Sequence, residues 1–402
     1  MKKLLFMLLC TALFVGCSDK KLGDDEGHGG NTKKEIPDDM EKAFPDPIFR
    51  TYVLNRFDID GDGKISKEEA EKVTRIDVNN TFTPDDEKIA SLEGIQYFTN
   101  LTYLDCSYNK LTELDVTHNP TLTELRCYYN QLKELDVTHN PALTTLRCYS
   151  NQLKELDVTQ NPALTTLRCY SNQLKELDVT QNTALTSLYC YNNQLTTLDV
   201  TQNTALTELW CSDNQLTKLV TQNPALKTLW CFENQLTELN VSQNTALEQL
   251  WCYSNQLTKL VTQNPALTSL YCYNNQLTDL DVTQNHALTR LDCYSNQLTT
   301  LHVNGCSALT RLDCSSNQLT ELDVTQNTAL EWLYCYSNQL TTLDISKTNL
   351  GNSTDTYPLN CSPMNGSGLE TLYLKEGWTI PYIWPNRSNN FVPENTQILF
   401  KD

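Results

Sequence analysis

The sequence predicts a predominantly β repeat solenoid of the α/β repeat type. Its parts are a coil with short parallel strands on two sides, a small helical cap at the N-terminal end and an irregular cap at the C-terminal end. Three observations carry this expectation: a cysteine recurs twelve times at nearly constant spacing, an asparagine follows each cysteine three residues later, and leucines hold fixed offsets around both. The 402 residues therefore do not count out into several ordinary domains. Acidic residues outnumber basic ones 49 to 30, and the net charge of -19 is spread along the chain, which excludes nucleic acid as a partner.

The N-terminus reads Met1-Lys2-Lys3 and then an apolar run from Leu4 to Val15, too short to span a bilayer and of the secretory-signal type. Leu13-Phe14-Val15-Gly16-Cys17 resembles a bacterial lipobox, with Phe14 where leucine is usual. That resemblance implies removal of residues 1–16 and acylation (palmitate) of the Cys17 thiol; the alternative is a plain signal peptide with an incidental cysteine. No other segment is long and apolar enough to cross a membrane, so the expected attachment is by lipid alone. The protein is then expected at the outer membrane or cell surface of a Gram-negative bacterium. Residues 17–40, rich in Lys, Asp, Glu and Gly, read as a disordered tether.

Residues 41–72 predict a helix-loop-helix cap, with helices over Pro47 to Phe57 and Ser66 to Val73. Between them, Asp58 to Glu69 resembles the twelve-residue EF-hand loop. Asp58, Asp60 and Asp62 stand at positions 1, 3 and 5, Lys64 offers its carbonyl at 7, Ser66 an oxygen at 9, and Glu69 a bidentate carboxylate at 12. Gly63 permits the sharp turn at position 6. Hard oxygens at this spacing suit Ca²⁺, with an empty structural turn as the alternative reading. A single loop points to a structural role in which calcium neutralises clustered carboxylates and fixes the cap. Extracellular modules of this kind bind weakly, at roughly 0.1 to 1 mM.

Residues 73–350 form the solenoid. From Leu101 the pattern is Leu-x-x-Leu-x-Cys-x-x-Asn-x-Leu-x-x-Leu-Asp-Val-Thr-x-Asn, with cysteines from Cys106 to Cys335. Nine of the eleven steps are 21 residues; the two from Cys211 to Cys231 and from Cys252 to Cys272 are 20, and both read as having lost the Asp before Val, at Leu219-Val220 and Leu260-Val261. Each period reads as two half-repeats, Leu-x-Cys and Leu-x-Val, alternating inward and outward as short strands. One turn buries too little to offset the entropy of ordering it, so stacking is obligatory and both ends need caps. The C-terminal cap is residues 351–402, with Leu369 to Leu374 as a last strand.

The twelve thiols are expected as a buried ladder of small apolar side chains with parallel Cβ vectors that disfavour disulfides. Cys306 and Cys361 lie off the ladder and are free to pair with each other. The asparagines from Asn109 to Asn338 are expected to satisfy backbone groups inside the turns. On these motifs the body resembles the internalin-type, nested 21-residue class of bacterial leucine-rich-repeat proteins. That family acts through binding, and the resemblance implies no catalysis. The five histidines, His28, His118, His139, His286 and His302, agree, since none has a partner at a recognisable catalytic spacing.

The residues beside each cysteine point outward. Arg126, Arg147, Arg168, Tyr189, Trp210, Trp230, Trp251 and Tyr271 precede it, and Tyr149, Tyr170, Tyr191, Phe232, Tyr253 and Tyr273 follow it. Trp, Tyr and Arg are the residues enriched at binding hot spots, so this face is the expected ligand site. The plainer reading is that stacked rings support one another between strands. The first expected ligand is a protein and the second a glycan whose sugars stack on Trp210, Trp230 and Trp251. On the other side, Asp115, Asp136, Asp157, Asp178 and Asp199 read as a solvated acidic face.

Overall fold

In every repeat the chain leaves its strand through one residue with left-handed backbone, φ 52–57°, from Tyr108 and Tyr129 to Ser337. None of the twelve is glycine, so each carries a steric cost of about 1–2 kcal/mol. The asparagine that follows holds the turn in place. Asn130 Nδ2 donates to Cys127 O of its own turn and to Cys106 O of the preceding one, both at 3.0 Å. Its Oδ1 accepts from Leu111 N at 3.0 Å. The same set recurs at Asn193 and Asn338. The expectation that this column satisfies backbone groups is met, and the bonds tie each turn to its neighbour.

The computed structural model describes residues 35–81, 84–350, 359–362, 368–378, 392–393 and 395–401. The signal sequence, Cys17 and most of the tether lie outside the described residues. Among those described, no helix is long and apolar enough to cross a membrane.

The strand side is one continuous parallel sheet of fourteen strands, running in chain order from Arg75–Asp77 to Leu359–Asn360. Register is kept from turn to turn: Leu146 pairs with Leu167, and Leu229 with Leu250. The opposite side is also parallel but broken into short pieces, such as Thr197–Asp199 beside Lys218–Val220. The predicted two-sided β coil is therefore what forms. Leu, Cys and Val fill its interior, and Cys106 to Cys314 are wholly buried.

The column of Asp residues on the second side closes turns. Asp136 Oδ1 accepts from Thr138 N at 2.9 Å and from Thr138 Oγ1 at 2.6 Å, and Asp157, Asp178 and Asp199 do the same with their threonines. The structure moves the deletion in the two 20-residue turns. Val220 pairs in register with Asp199, and so takes the outward Asp place. Thr221 then takes the buried Val place, and the residue removed belongs to the turn before Asn223. Thr262 is likewise buried after Val261. Each displaced hydroxyl finds a partner, since Thr221 Oγ1 donates to Asn244 Oδ1 at 2.9 Å and Thr262 Oγ1 to Asn285 Oδ1 at 3.1 Å.

A second correction concerns the two cysteines read as lying off the ladder. Leu359–Asn360 pairs with the strand Trp332–Tyr334, and Cys335 N donates to Asn360 O, so Cys361 extends the ladder by one rung. Cys306 occupies an asparagine place in a different column, where its thiol donates to Val282 O at 3.1 Å. The two belong to different columns, and both are free thiols.

The N-terminal end is closed by helices α1 (Met40–Ala43), α2 (Pro47–Phe57) and α3 (Lys67–Lys72). Both predicted cap helices form, and α1 adds a third that starts at Met40, the last residue read as tether, and runs into the segment read as cap. Asp46 holds the cap to the coil. Its Oδ1 accepts from Ile48 N and Phe49 N at the start of α2, while Oδ2 accepts from Ala90 N and Ser91 N of the first partial turn. Phe44, Phe49, Phe57 and Phe98 form an aromatic cluster beneath it, with centroids 5.6–6.0 Å apart. Gly94, at φ 103°, lies so close that a Cβ would stand 2.2 Å from the Phe44 ring. At the other end Thr371–Lys375 confirms the expected last strand, and a further strand, Gln397–Lys401, pairs beside it.

Burial pushes the ladder thiols far from reactivity, with Cys148 and Cys231 up to about 12. Iodoacetamide at about pH 8 is expected to modify none of the thiols from Cys106 to Cys335 in the folded protein and all of them in urea. Mass spectrometry reads this directly, and labelling of an internal rung under native conditions would contradict the packed ladder.

Candidate recognition face

The outward positions of the continuous sheet form two adjoining ring columns because strand register places like residues side by side at about 4.8 Å. In the column after the cysteines, Tyr128, Tyr149, Tyr170 and Tyr191 stack with centroids 4.2–4.4 Å apart and planes within 12°. Ser212 interrupts them. Phe232, Tyr253, Tyr273 and Tyr294 then form a second run at 4.4–4.5 Å. In the column before the cysteines, Trp210, Trp230 and Trp251 stack at 4.0 and 4.5 Å. Tyr271 lies tilted against Trp251 at 4.9 Å. Trp230 reaches Phe232 at 6.4 Å, which joins the two columns.

The rings are not free platforms. The tryptophans are half-buried, and their Nε1 atoms are buried without an acceptor among the described residues. The edge left to solvent is therefore not the N–H edge, and the ring faces are covered by neighbours. Tyr189, expected to point into solvent, is buried: Trp210 meets its ring at 4.7 Å, the Arg168 guanidinium lies over it at 4.7 Å, and its hydroxyl bonds Glu208. It supports the face from beneath. Burial, with a neighbouring phenol adding to it, pushes Tyr273 and Tyr294 up to about 12, so both remain hydrogen-bond donors at neutral pH.

Charge varies along the face. Arg126 is held by Glu124 at 2.7 Å and by Asp105 at 3.6 Å. Arg147 and Arg168 follow it in register on the next two strands. Beyond the tryptophans come Asp292, bonded to Arg290 at 2.8 Å, and Asp313, whose carboxyl burial raises above the usual range. His118 and His139, on the opposite side, each have a ring nitrogen 3.1 Å from the adjacent threonine hydroxyl.

In the cap loop the structure brings Asp58, Asp60 and Glu69 together, each offering an oxygen within 4.8 Å of the others. Asp62 is turned to its own loop, accepting from Lys64 N at 2.8 Å, and the Lys64 side chain pairs with Asp38. Loop amides shape the site: Gly61 N and Gly63 N donate to the two oxygens of Asp58 at 2.8 and 2.9 Å. Glu69 accepts from Ser66 N at 2.8 Å and Ile59 N at 2.7 Å, which holds its carboxyl down to about 2. An all-oxygen donor set at this spacing fits a hard divalent cation of calcium's size.

No family model matches the sequence. Internalin J of Listeria monocytogenes serotype 4b (strain F2365) is 40% identical over 76 residues, 19% of this chain and 8% of that protein, so the match spans a small part of the relative's length. Among solved structures, the functional domain of InlJ from Listeria monocytogenes, described as including a cysteine ladder, is similar at 35% identity with a TM-score of 0.65. The match covers 84% of this chain and 82% of that one. The internalin InlF of Listeria monocytogenes strain 4b F2365 shares the fold at 21% identity and a TM-score of 0.57, over 93% and 95% of the two chains.

If the rings support each other as their spacing indicates, Trp230→Ala, in the middle of the indole stack, lowers unfolding free energy by about 2–3 kcal/mol, while Trp230→Tyr stays within about 1. Urea titration of both variants decides it; a loss under about 0.5 kcal/mol for the alanine would remove the stack's supporting role.

Proposed function

The chain belongs to the internalin-type leucine-rich-repeat proteins, and on that premise we propose that its continuous sheet face is a protein-binding surface held outside the cell. Relatives of this class are bacterial surface or secreted proteins, and the lipobox at Leu13 to Cys17 supports attachment through an acyl chain on Cys17 at the outer membrane or cell surface. The observation that carries the binding reading is the pair of ring columns, which presents Trp edges and protonated Tyr hydroxyls over nine successive strands from Glu124–Arg126 to Arg290–Asp292. Such a surface offers large, rigid, amphipathic contact area at low entropic cost.

The geometry favours protein over glycan. Sugars stack on exposed ring faces, and here the faces of Trp210, Trp230 and Trp251 are spent on one another at 4.0 and 4.5 Å. Protein side chains, in contrast, pack against edges and bond hydroxyls. The purified, fluorescently labelled protein should bind epithelial or bacterial cells in a way abolished by protease treatment of those cells and unaffected by glycosidases. Tyr170→Ser combined with Tyr273→Ser should weaken this binding about tenfold or more without unfolding, because the same column already carries Ser212 and Ser315. Unchanged binding by that variant, or strong signals on a glycan array, would count against the reading.

Calcium supports the cap in this proposal. Asp58, Asp60, Asp62, the Lys64 carbonyl, Ser66 and Glu69 would hold the ion, which would supply the positive charge that lets these carboxylates crowd between α2 and α3. The loop hydrogen bonds and the convergence of Asp58, Asp60 and Glu69 support this assignment. EDTA is expected to lower the melting temperature by a few degrees, and Asp58→Ala to abolish that sensitivity. A melting curve indifferent to calcium and chelator would sink it.

A further inference from the structure

We propose that Arg147 and Arg168 form a carboxylate-binding site on the recognition face, and that the partner docks there through an acidic protein segment. This rests on the protein-binding reading above and adds the chemistry of the partner. Most arginines of the face already have a partner. Arg75 is held by Asp77 at 2.8 Å, Arg126 by Glu124 at 2.7 Å, and Arg290 by Asp292 at 2.8 Å. Arg147 and Arg168 differ: among the described residues neither forms an ion pair, and the Nε of each is buried without an acceptor.

Their surroundings do not compensate. Strand register puts the two residues side by side, so like charges stand about 4.8 Å apart at their backbones. The residues two places before them are Thr145 and Thr166, and those two places after are Tyr149 and Tyr170, all neutral. Glu208, a carboxylate of the same face, is bonded to the Tyr189 hydroxyl. Arg168 lies over the Tyr189 ring, a contact that fixes the guanidinium without neutralising it. In a chain of net charge -19, two adjacent unneutralised guanidiniums stand out.

A carboxylate matches the geometry, since a guanidinium fork donates to its two oxygens in one plane and a side chain between the two forks would relieve their repulsion. Next to the pair, Tyr149 and Tyr170 continue the ring column, so residues flanking the acidic group in the partner would pack on phenol edges. An overall acidic protein gains selectivity in this way, because acidic partners are repelled elsewhere and held here.

The test uses three probes on the purified full chain: a hexaglutamate peptide, a heparin fragment and an uncharged Gly-Ser peptide, measured by calorimetry at about 50 mM salt. Hexaglutamate is expected to bind, to weaken about tenfold or more in Arg147→Gln/Arg168→Gln, and to retain its affinity in Arg311→Gln. Arg147→Lys/Arg168→Lys, which keeps charge and loses the fork, should fall between, and it serves as the test if the glutamine variant melts early. Absence of hexaglutamate binding, or equal binding by the glutamine variant, overturns the proposal. Heparin binding without hexaglutamate binding also overturns it and assigns the pair to sulfate. Protease-sensitive cell binding that persists alongside a blank hexaglutamate titration leaves the protein-binding reading standing and removes only this site.

Discussion

A coil that contributes one three-residue strand per turn to its sheet has no partner for its backbone except the next turn. The asparagine columns are the consequence. Asn109 to Asn338 bridge carbonyls and amides of successive turns beside the sheet, and Asn140 to Asn203 bind carbonyls on the other side, where each Nδ2 donates to a Val and an Asn carbonyl of the preceding turn at 2.8–2.9 Å. Because these bonds are buried, losing one partner exposes the full desolvation penalty of the other, about 1–3 kcal/mol. Spacing is therefore policed turn by turn. A one-residue deletion is tolerated at Thr221 and Thr262 because it falls in a turn, leaves the Leu and Asn registers untouched and places a hydroxyl against an asparagine oxygen. In the regular turns that oxygen, as at Asn161 and Asn182, has no donor among the described residues.

Periodicity made most of this legible in advance. A repeat fixes the inward and outward alternation, and hence the buried ladder and the role of the asparagines, without any knowledge of neighbours. The helices expected over Pro47 to Phe57 and Ser66 to Val73 are equally local, and the structure starts the first on an Asp46 cap and the second on a capping box. What escaped were the features decided between turns. Whether Val220 stands in the Asp or the Val place depends on which registers the flanking Leu and Asn columns enforce. Tyr189 shares its sequence position with three exposed-looking tryptophans, yet its neighbours Arg168, Trp210 and Glu208 fold over it. Cys361 is separated from Cys335 by 26 residues, and only strand pairing reveals it as the next rung.

The ring columns show how one constraint serves two ends. Strands at about 4.8 Å are slightly farther apart than stacked rings prefer, and the observed 4.0–4.5 Å separations are met by small tilts of the side chains. Stacking then consumes the ring faces and fixes the rotamers. The side chains reach solvent already ordered, so a partner that packs on their edges pays little entropy to do so. The same packing argues against a soft, adaptable surface, and in favour of recognition by shape along the strand direction with charge setting the register.

Charge sets that register because it is distributed unevenly along an otherwise repetitive face. Successive turns are nearly identical in shape, so a ligand held by ring edges alone could slide by whole turns at little cost. Arg147 and Arg168 at one end, and Asp292 and Asp313 at the other, break this translational degeneracy. Asp292 is already bonded to Arg290, and Asp313 Oδ1 already accepts from Ser315 N and Oγ, so the acidic end offers a weaker anchor than the basic one. Displacing the ligand by one turn toward the tryptophans would exchange a guanidinium for the buried Tyr189. A buried carboxylate without its cation is costly, and that penalty, rather than added attraction, is what would confine the partner to a single position.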